Sequence, residues 1–444
     1  MANRYRRELL GSAVGAFLTS IAMTDAEPAS LPVTAGRAFS VSAVDFGAVG
    51  DGIAPDGQAI QKAIDSVGAV GGGLVTLPAG IYRLERQLVL DKDVALIGCY
   101  QGPTSHTQAE ADVQSKQLRG TVLTTDLSAG DEDATPLITV GNNCTLAGVA
   151  VYYPGQNPAG LPTPYPWTID MTGNNATVRQ VELINSYRGI RAVGAIRHLI
   201  RDVTGQPLRV GIYIDQIYDI GRIENVHWNP WWSSSPNMID FLYRNGEAFV
   251  FGRSDWEYVY NTFAFGYRHG YRFIKTADGS CNGNFLGIGA DSSWNSATVD
   301  ACSELGVLVT NGEFVAMPNS ASGQTFPDAD ARQVLVKETN KGVLRFVNSA
   351  FWGPSTQVAS ISGTGTVGFS DCTFQNGSDN APVIDALSGS ILVRGCEFRQ
   401  SGTPVVVGAG VTAGVVTGNI FHGSGKVINL STADIQIGLN STTL

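Results

Sequence analysis

The chain is poor in charge. Of its 444 residues only 15% are Asp, Glu, Lys or Arg, and acids outnumber bases by 39 to 29. A formal net charge of −10 excludes nucleic-acid binding by phosphate neutralisation, which needs clustered Lys and Arg. The longest basic run is "RYRR" at residues 4–7. Long hydrophobic runs are also missing. The best candidate, Gly11 to Met23, falls short of the roughly 20 apolar residues that a membrane span requires, so no membrane partner is expected. Cysteine is scarce and scattered, at Cys99, Cys144, Cys281, Cys302, Cys372 and Cys396. No CxxC or Cys/His spacing suggests zinc, and neither a phosphate loop nor a serine triad is present. The expectation is therefore no metal and no cofactor.

What is plentiful points to β structure. Fifty-three Gly residues and 43% apolar residues make the composition of a turn-rich β protein. Four segments near the end, "NSAFWG", "DCTFQN", "GCEFRQ" and "GNIFHG", place Phe351, Phe374, Phe398 and Phe421 at steps of 23, 24 and 23 residues. A second series starts at Gly189, Gly211, Gly270 and Gly306, with Ala248 of "AFVFG" as an intermediate copy. Its excess lengths predict insertions around Trp231 to Gly246 and near Asp291 to Cys302. Helical hairpins need longer 3.6-period runs. Short alternating runs at this period instead predict a coil of three strands that stacks on its neighbours.

The expected fold is all-β, a single-stranded right-handed parallel β-helix with an N-terminal capping helix and loop insertions. "PDGQAIQKAIDSVG" supplies the cap, with Ala59, Ile60, Ala63, Ile64 and Val67 at helical spacing. Residues 1–40 read as an export signal and linker, in which Arg6-Arg7-Glu8-Leu9-Leu10 resembles a twin-arginine leader. Residues 41–444 form the β-helix domain. A secreted or periplasmic location follows.

Residues 44–84 carry Asp45-Phe46-Gly47-Ala48 with Gly50-Asp51-Gly52, then Ala59-Ile60-Gln61, then Leu77-Pro78-Ala79-Gly80 and Tyr82. This stretch resembles the N-terminal signature of the pectate-lyase-like superfamily, which also covers relatives of glycoside hydrolase family 28. The resemblance implies a parallel β-helix that acts on or binds polysaccharide. It does not select a reaction, because the signature caps the helix end. The galacturonase aspartates have no counterpart here; only "RHG" at 268–270 and "RFIK" at 272–275 echo that pattern. The calcium-binding aspartates of pectate lyases are not evident either.

The polar stretch "GRSDWEYVYN" at residues 252–261 concentrates the candidate chemistry. On a strand, Asp255 and Glu257 share a face, with Cα atoms about 6 to 7 Å apart. Such a pair suits acid/base work on a glycosidic bond. The repeat period sets Asp219 and Asp278 in neighbouring coils, and Asp240 rides on a short helix opened by Pro236. Trp228, Trp231, Trp232, Tyr243 and Trp256 are candidate sugar platforms. Arg253, His269, Arg272 and Lys275 form a basic cluster suited to a uronate, with His269 or Tyr267 as base. The bland alternatives are solvated turns, core packing and surface ion pairs.

The leading expectation is a glycoside hydrolase or transglycosylase that cleaves or rearranges glycosidic bonds of a polysaccharide or oligosaccharide. A polysaccharide lyase acting on uronates is the enzyme alternative. A carbohydrate-binding adhesin or tailspike-like protein is the non-enzyme alternative. A homotrimer is an assembly that such a solenoid allows.

Overall fold

A computed structural model describes residues 40–443 apart from 104, 105, 107–117, 327, 329, 376, 378, 379 and 424. The export segment expected over 1–40 lies, Ser40 apart, outside the described residues. From Ser40 onward the chain winds into one parallel sheet that climbs coil by coil, capped by α1 (Gly57–Gly68). The cap helix buries Ala59, Ile60, Ala63, Ile64 and Val67, the five residues that its spacing singles out.

Three coils in the middle define the geometry: β1 (Trp167–Met171), β2 (Thr177–Leu183), β3 (Arg188–Val193), β4 (Leu199–Gly205), β5 (Val210–Asp215) and β6 (Arg222–Trp228). Then come α2 (Pro236–Asn245), β7 (Glu247–Phe251), β8 (Glu257–Phe265) and β9 (His269–Phe273). Strands β1, β3, β5, β7 and β9 stack in parallel and form the front face, in which Ile169, Ile190, Ile212, Phe249 and Tyr271 share one inward column. The residues that follow that column, Asp170, Arg191, Tyr213, Val250 and Arg272, face outward.

Strands β2, β4, β6 and β8 stack likewise but bend midway. The bend falls on Gln180, Asp202, Asn225 and Asn261, each left-handed with φ between 51° and 56°. Asx side chains tolerate this conformation through local hydrogen bonding. Here they also bond from coil to coil: Asn225 Nδ2 donates to Asp202 Oδ1 at 2.7 Å and Asn261 Nδ2 to Asn225 Oδ1 at 3.2 Å. Beyond β8 the two halves become separate strands, β10 (Gly283–Leu286) and β11 (Gly289–Ser293), followed by β12 (Asn295–Val299) on the front face. Each coil thus has front, rear and side faces. Further along the side face, β13 (Glu313–Ala316) pairs with β11.

The phenylalanine repeat is the interior of the side face. Phe314, Phe351, Phe374, Phe398 and Phe421 are in register; the first four stack at centroid distances of 5.3, 5.2 and 4.7 Å, and Phe421 meets Phe398 edge-on at 5.2 Å. The glycine repeat marks close approach on the front face. A Cβ on Gly211 would sit 2.4 Å from the Ala248 carbonyl oxygen, and one on Gly189 would sit 2.3 Å from that of Gly211.

Two expectations change. Gly306 leads not into the front face but into Val307–Thr310, which pairs with β10. The insertion expected near Asp291 to Cys302 is instead the ordinary coil of β11 and β12. The insertion around Trp231 to Gly246 is real and contains α2, which Ser235 caps and Pro236 opens. All six cysteines are free, with Cys99 exposed and the others buried.

Candidate functional site

The stretch 252–261 does not form the expected carboxylate pair. Trp256 adopts φ 52°, so the chain turns between Asp255 and Glu257 and only Glu257 enters β8. Asp255 stays at the corner, held by Arg253 at 2.7 Å. Glu257 is 0% exposed. It accepts from Ser254 Oγ at 2.5 Å and lies 3.1 Å from His198 Nε2. His198 Nδ1 faces the Ala195 carbonyl at 3.0 Å; a carbonyl only accepts, so Nδ1 carries a proton.

The other predicted acids also have structural partners. Asp219 pairs with Arg197 at 2.7 Å. Asp278 accepts from Gln216 Nε2 at 3.0 Å and from the Tyr218 hydroxyl at 2.9 Å. Asp240, on α2 as expected, accepts from Ser320 and Ser322 at 2.6 and 2.7 Å. Three of the predicted platforms are interior: Trp228 packs 6.2 Å from Phe249, Trp232 is buried, and Tyr243 stacks on Trp294 and Phe326 at 5.5 and 5.4 Å. Buried rings cannot offer a face to a sugar. Trp231 is half-buried against His227 at 4.7 Å, and Trp256 is 59% exposed.

Among the basic residues, Lys275 is exposed at a corner and Arg253 lies over the Tyr218 ring at 5.7 Å. Arg272 reaches Glu247 and, at 2.9 Å, Asp300. His269 is outward on β9 but covered, with Nδ1 2.9 Å from Thr298 Oγ1. Burial first, then the charges of Arg272 and Arg268, push its pKa down to about 3. Tyr267 is fully buried and donates to the Pro207 carbonyl at 2.6 Å, so it cannot serve as a base.

The sequence reading missed the residues that the front face brings together. Trp167 on β1 packs against two guanidinium groups, with Arg188 and Arg191 both 5.8 Å from its ring. Arg191 is gripped by Asp170, Nε to Oδ1 at 2.8 Å and Nη2 to Oδ2 at 2.7 Å, a bidentate pair. Arg188 is held by Glu132 and Asp133 at 2.8 and 3.3 Å. Tyr213 stands directly after Arg191 in the outward column, 6.1 Å from Trp167. Burial raises its phenol to about 12, reinforced by the charge of Asp215 and a hydrogen bond to it. The repeat alignment holds a usable signal for this column. Position three of "GIRAV", "GIYID" and "GYRFI" gives Arg191, Tyr213 and Arg272, and all three face outward.

Two loops lean together beside this face. Residues 153–166 intervene before β1, and the α2 insertion grips them: Ser235 Oγ donates to the Pro158 carbonyl at 2.5 Å and Asn237 Nδ2 to that of Ala159 at 2.9 Å. Among the described residues no cluster of three His, Cys, Asp or Glu could hold a metal ion, and no helix is long and apolar enough to cross a membrane.

A family model described as rhamnogalacturonase A/epimerase, pectate lyase-like, matches residues 40–139. The N-terminal coils are pectate-lyase-like. Mannuronan C5-epimerase AlgE1 of Azotobacter vinelandii is 45% identical over 67 residues, 14% of this chain and 5% of that protein. Alginate lyase 7 of the same organism is 42% identical over 67 residues, 14% of this chain and 8% of that protein. The shared stretch is thus a small part of these relatives' own length. An N-terminal fragment of bacteriophage phi29 gene product 12 superposes with a TM-score of 0.57 at 14% identity, over 90% of this chain and 72% of that one. That likeness shows the parallel β-helix fold.

Proposed function

We propose that the protein is a carbohydrate-active enzyme that rearranges an acidic polysaccharide along its front face, by proton transfer at the carbon beside a uronate carboxylate. The observation that carries this reading is the adjacency of Arg191 and Tyr213 beside the Trp167 ring. Similarity to proteins named for mannuronan epimerisation and alginate lysis favours the same class of chemistry over hydrolysis by Asp255 and Glu257, whose expected pairing the turn at Trp256 prevents.

Each residue has a role that its surroundings dictate. Asp170 engages Nε and Nη2 of Arg191, which leaves the Nη1 protons for a substrate carboxylate. Neutralising that carboxylate stabilises the charge that develops on it when the neighbouring carbon loses its proton. Tyr213 holds its proton at neutral pH and shares it with Asp215, so the phenol oxygen takes the proton from carbon as its own passes to Asp215, and the reverse transfer returns a proton to carbon or to a departing glycosidic oxygen. Asp215 orients the phenol. Trp167, itself buried, packs against Arg191 and Tyr213 and holds them in place. His269 lies two coils beyond Tyr213 and does not share its reacting centre.

The test is incubation of the purified protein with polymannuronate, polyguluronate and polygalacturonate in heavy water. Unsaturated uronate is followed by ultraviolet absorbance, and deuterium at the carbon beside the carboxylate by NMR. Tyr213→Phe is expected to lower kcat by about 100-fold or more, and Arg191→Lys to lower kcat as well as raise KM, because the planar fork is lost from both the bound and the reacting carboxylate. Saturated reducing ends without deuterium, or full activity in Tyr213→Phe, would overturn the proposal.

A further inference from the structure

Around the corner from the front face, the side face holds a groove of about 290 Å³. Three successive strands make it. Phe263 on β8, Gly289 on β11 and Glu313 on β13 occupy one outward column, so the groove crosses about 10 Å of sheet at the usual 4.8 Å strand spacing. Gly289 is its floor. A Cβ there would meet the Phe263 ring at 3.0 Å, so the missing side chain is what opens the hollow.

Both ends of the hollow are aromatic. On one side Phe263 is fixed edge-on by His227, at a centroid distance of 5.0 Å, and Trp231 backs His227 in turn. On the other side Trp352 is locked by its Nε1–H, which donates to Glu313 Oε1 at 2.8 Å. Asn261 and Asn311 stand exposed at the rim. Asp291 lies two residues along from the Gly289 floor and points to the same side. Burial raises its carboxyl pKa, with Ser292 the main counterweight and Glu313 adding to the rise. Aromatic faces framing a few convergent acceptors and donors are the makings of a sugar site.

We propose that this groove is a second carbohydrate site, separate from the front face, that binds an uncharged pyranose chain. The two acids and the absence of any Lys or Arg among its lining residues select against a uronate, the ligand that the arginines of the front face would attract. Hydroxyl groups, by contrast, donate to Glu313 and the asparagine carbonyls. Asp291 adds a further acceptor on the same side of the sheet. A chain-modifying enzyme gains from such a site by holding a neutral stretch of a mixed polymer while the front face works on its acidic residues.

Calorimetric titration of the full chain tests this with gluco-, manno- and galacto-configured neutral hexasaccharides, and with a hexauronate as the charged counterpart. At least one neutral hexasaccharide is expected to bind. Trp352→Ala and Glu313→Gln should each weaken it by about tenfold or more, and Gly289→Val should abolish it by filling the floor, with thermal melts confirming that all three are folded. Hexauronate binding should be unchanged in these variants. The proposal falls if no neutral sugar binds, if neutral binding survives Gly289→Val, or if the groove variants lose the hexauronate instead. These titrations read binding and not turnover, so their failure is distinguishable from failure of the front-face chemistry.

Discussion

His269 shows how far a residue's surroundings can move it from its sequence role. In "YRHGYRFIK" it looks like a base among cations. In the structure it is a covered ring facing Thr298, with Arg268, Arg272, Asp300 and Lys337 around it. The unfolded ring titrates near 6.5 and the folded one near 3. The unfolded chain therefore takes the proton first. Stability is whole above about pH 6.5 and falls as pH drops toward 3, by about 2 kcal/mol at pH 5 from this residue alone. Denaturant unfolding at pH 7 and pH 5 should show that loss, and His269→Gln should shrink the difference between the two pH values. The carboxylates of 252–261 were misjudged for a related reason. Strand alternation is sound arithmetic only while the backbone is extended, and nothing in the letters Asp-Trp-Glu announces a left-handed tryptophan.

At the scale of elements, the repeats were the readable part and their outward faces were not. The apolar ladder of Phe351, Phe374, Phe398 and Phe421 follows from period alone, because burial forces one residue type to recur. Arg191 and Tyr213 share a column without sharing chemistry, so no recurrence draws attention to them. Gly306 misled because rear and front strands both begin after glycine. Helix α2 was legible from Pro236, and its partner loop was not. Ser235 serves both: it caps the helix at the Met238 amide and donates to the Pro158 carbonyl. Ser235→Ala should cost about 1 to 2 kcal/mol, read as a lower melting temperature. It should also speed proteolysis within residues 153–166, the loop that loses its tie.

The whole molecule is a one-dimensional stack in which each coil contacts its neighbours. Phe374 sits between Phe351 and Phe398, so Phe374→Ala removes contacts in three coils at once. A loss of about 3 to 5 kcal/mol is expected. Hydrogen exchange should locate it, with amides of the coils on either side deprotected and those near α1 unchanged. Uniform deprotection over the whole chain would mean that the stack behaves as one cooperative block instead.

The asparagine corner has a consequence for how such a protein can be edited. Its side chains are zipped from coil to coil through Asp202, Asn225 and Asn261, and an added residue there would unpair both neighbours. The corner between side and front faces is bridged instead by side-chain to backbone bonds, Asn185 to Tyr153 and Gln206 to Trp232 and Ser233, and already accommodates residues 153–166 and the α2 segment. In these coils new peptide is admissible at the corner before the front face and costly at the zipped one, whereas in the N-terminal coils extra chain enters between rear and side strands, from Ile97 to Thr121. Variation in loop length in the middle coils, whether by natural drift or by deliberate grafting, is thereby channelled to the edge of the front face, where it remodels what the sheet can hold without disturbing how it is wound.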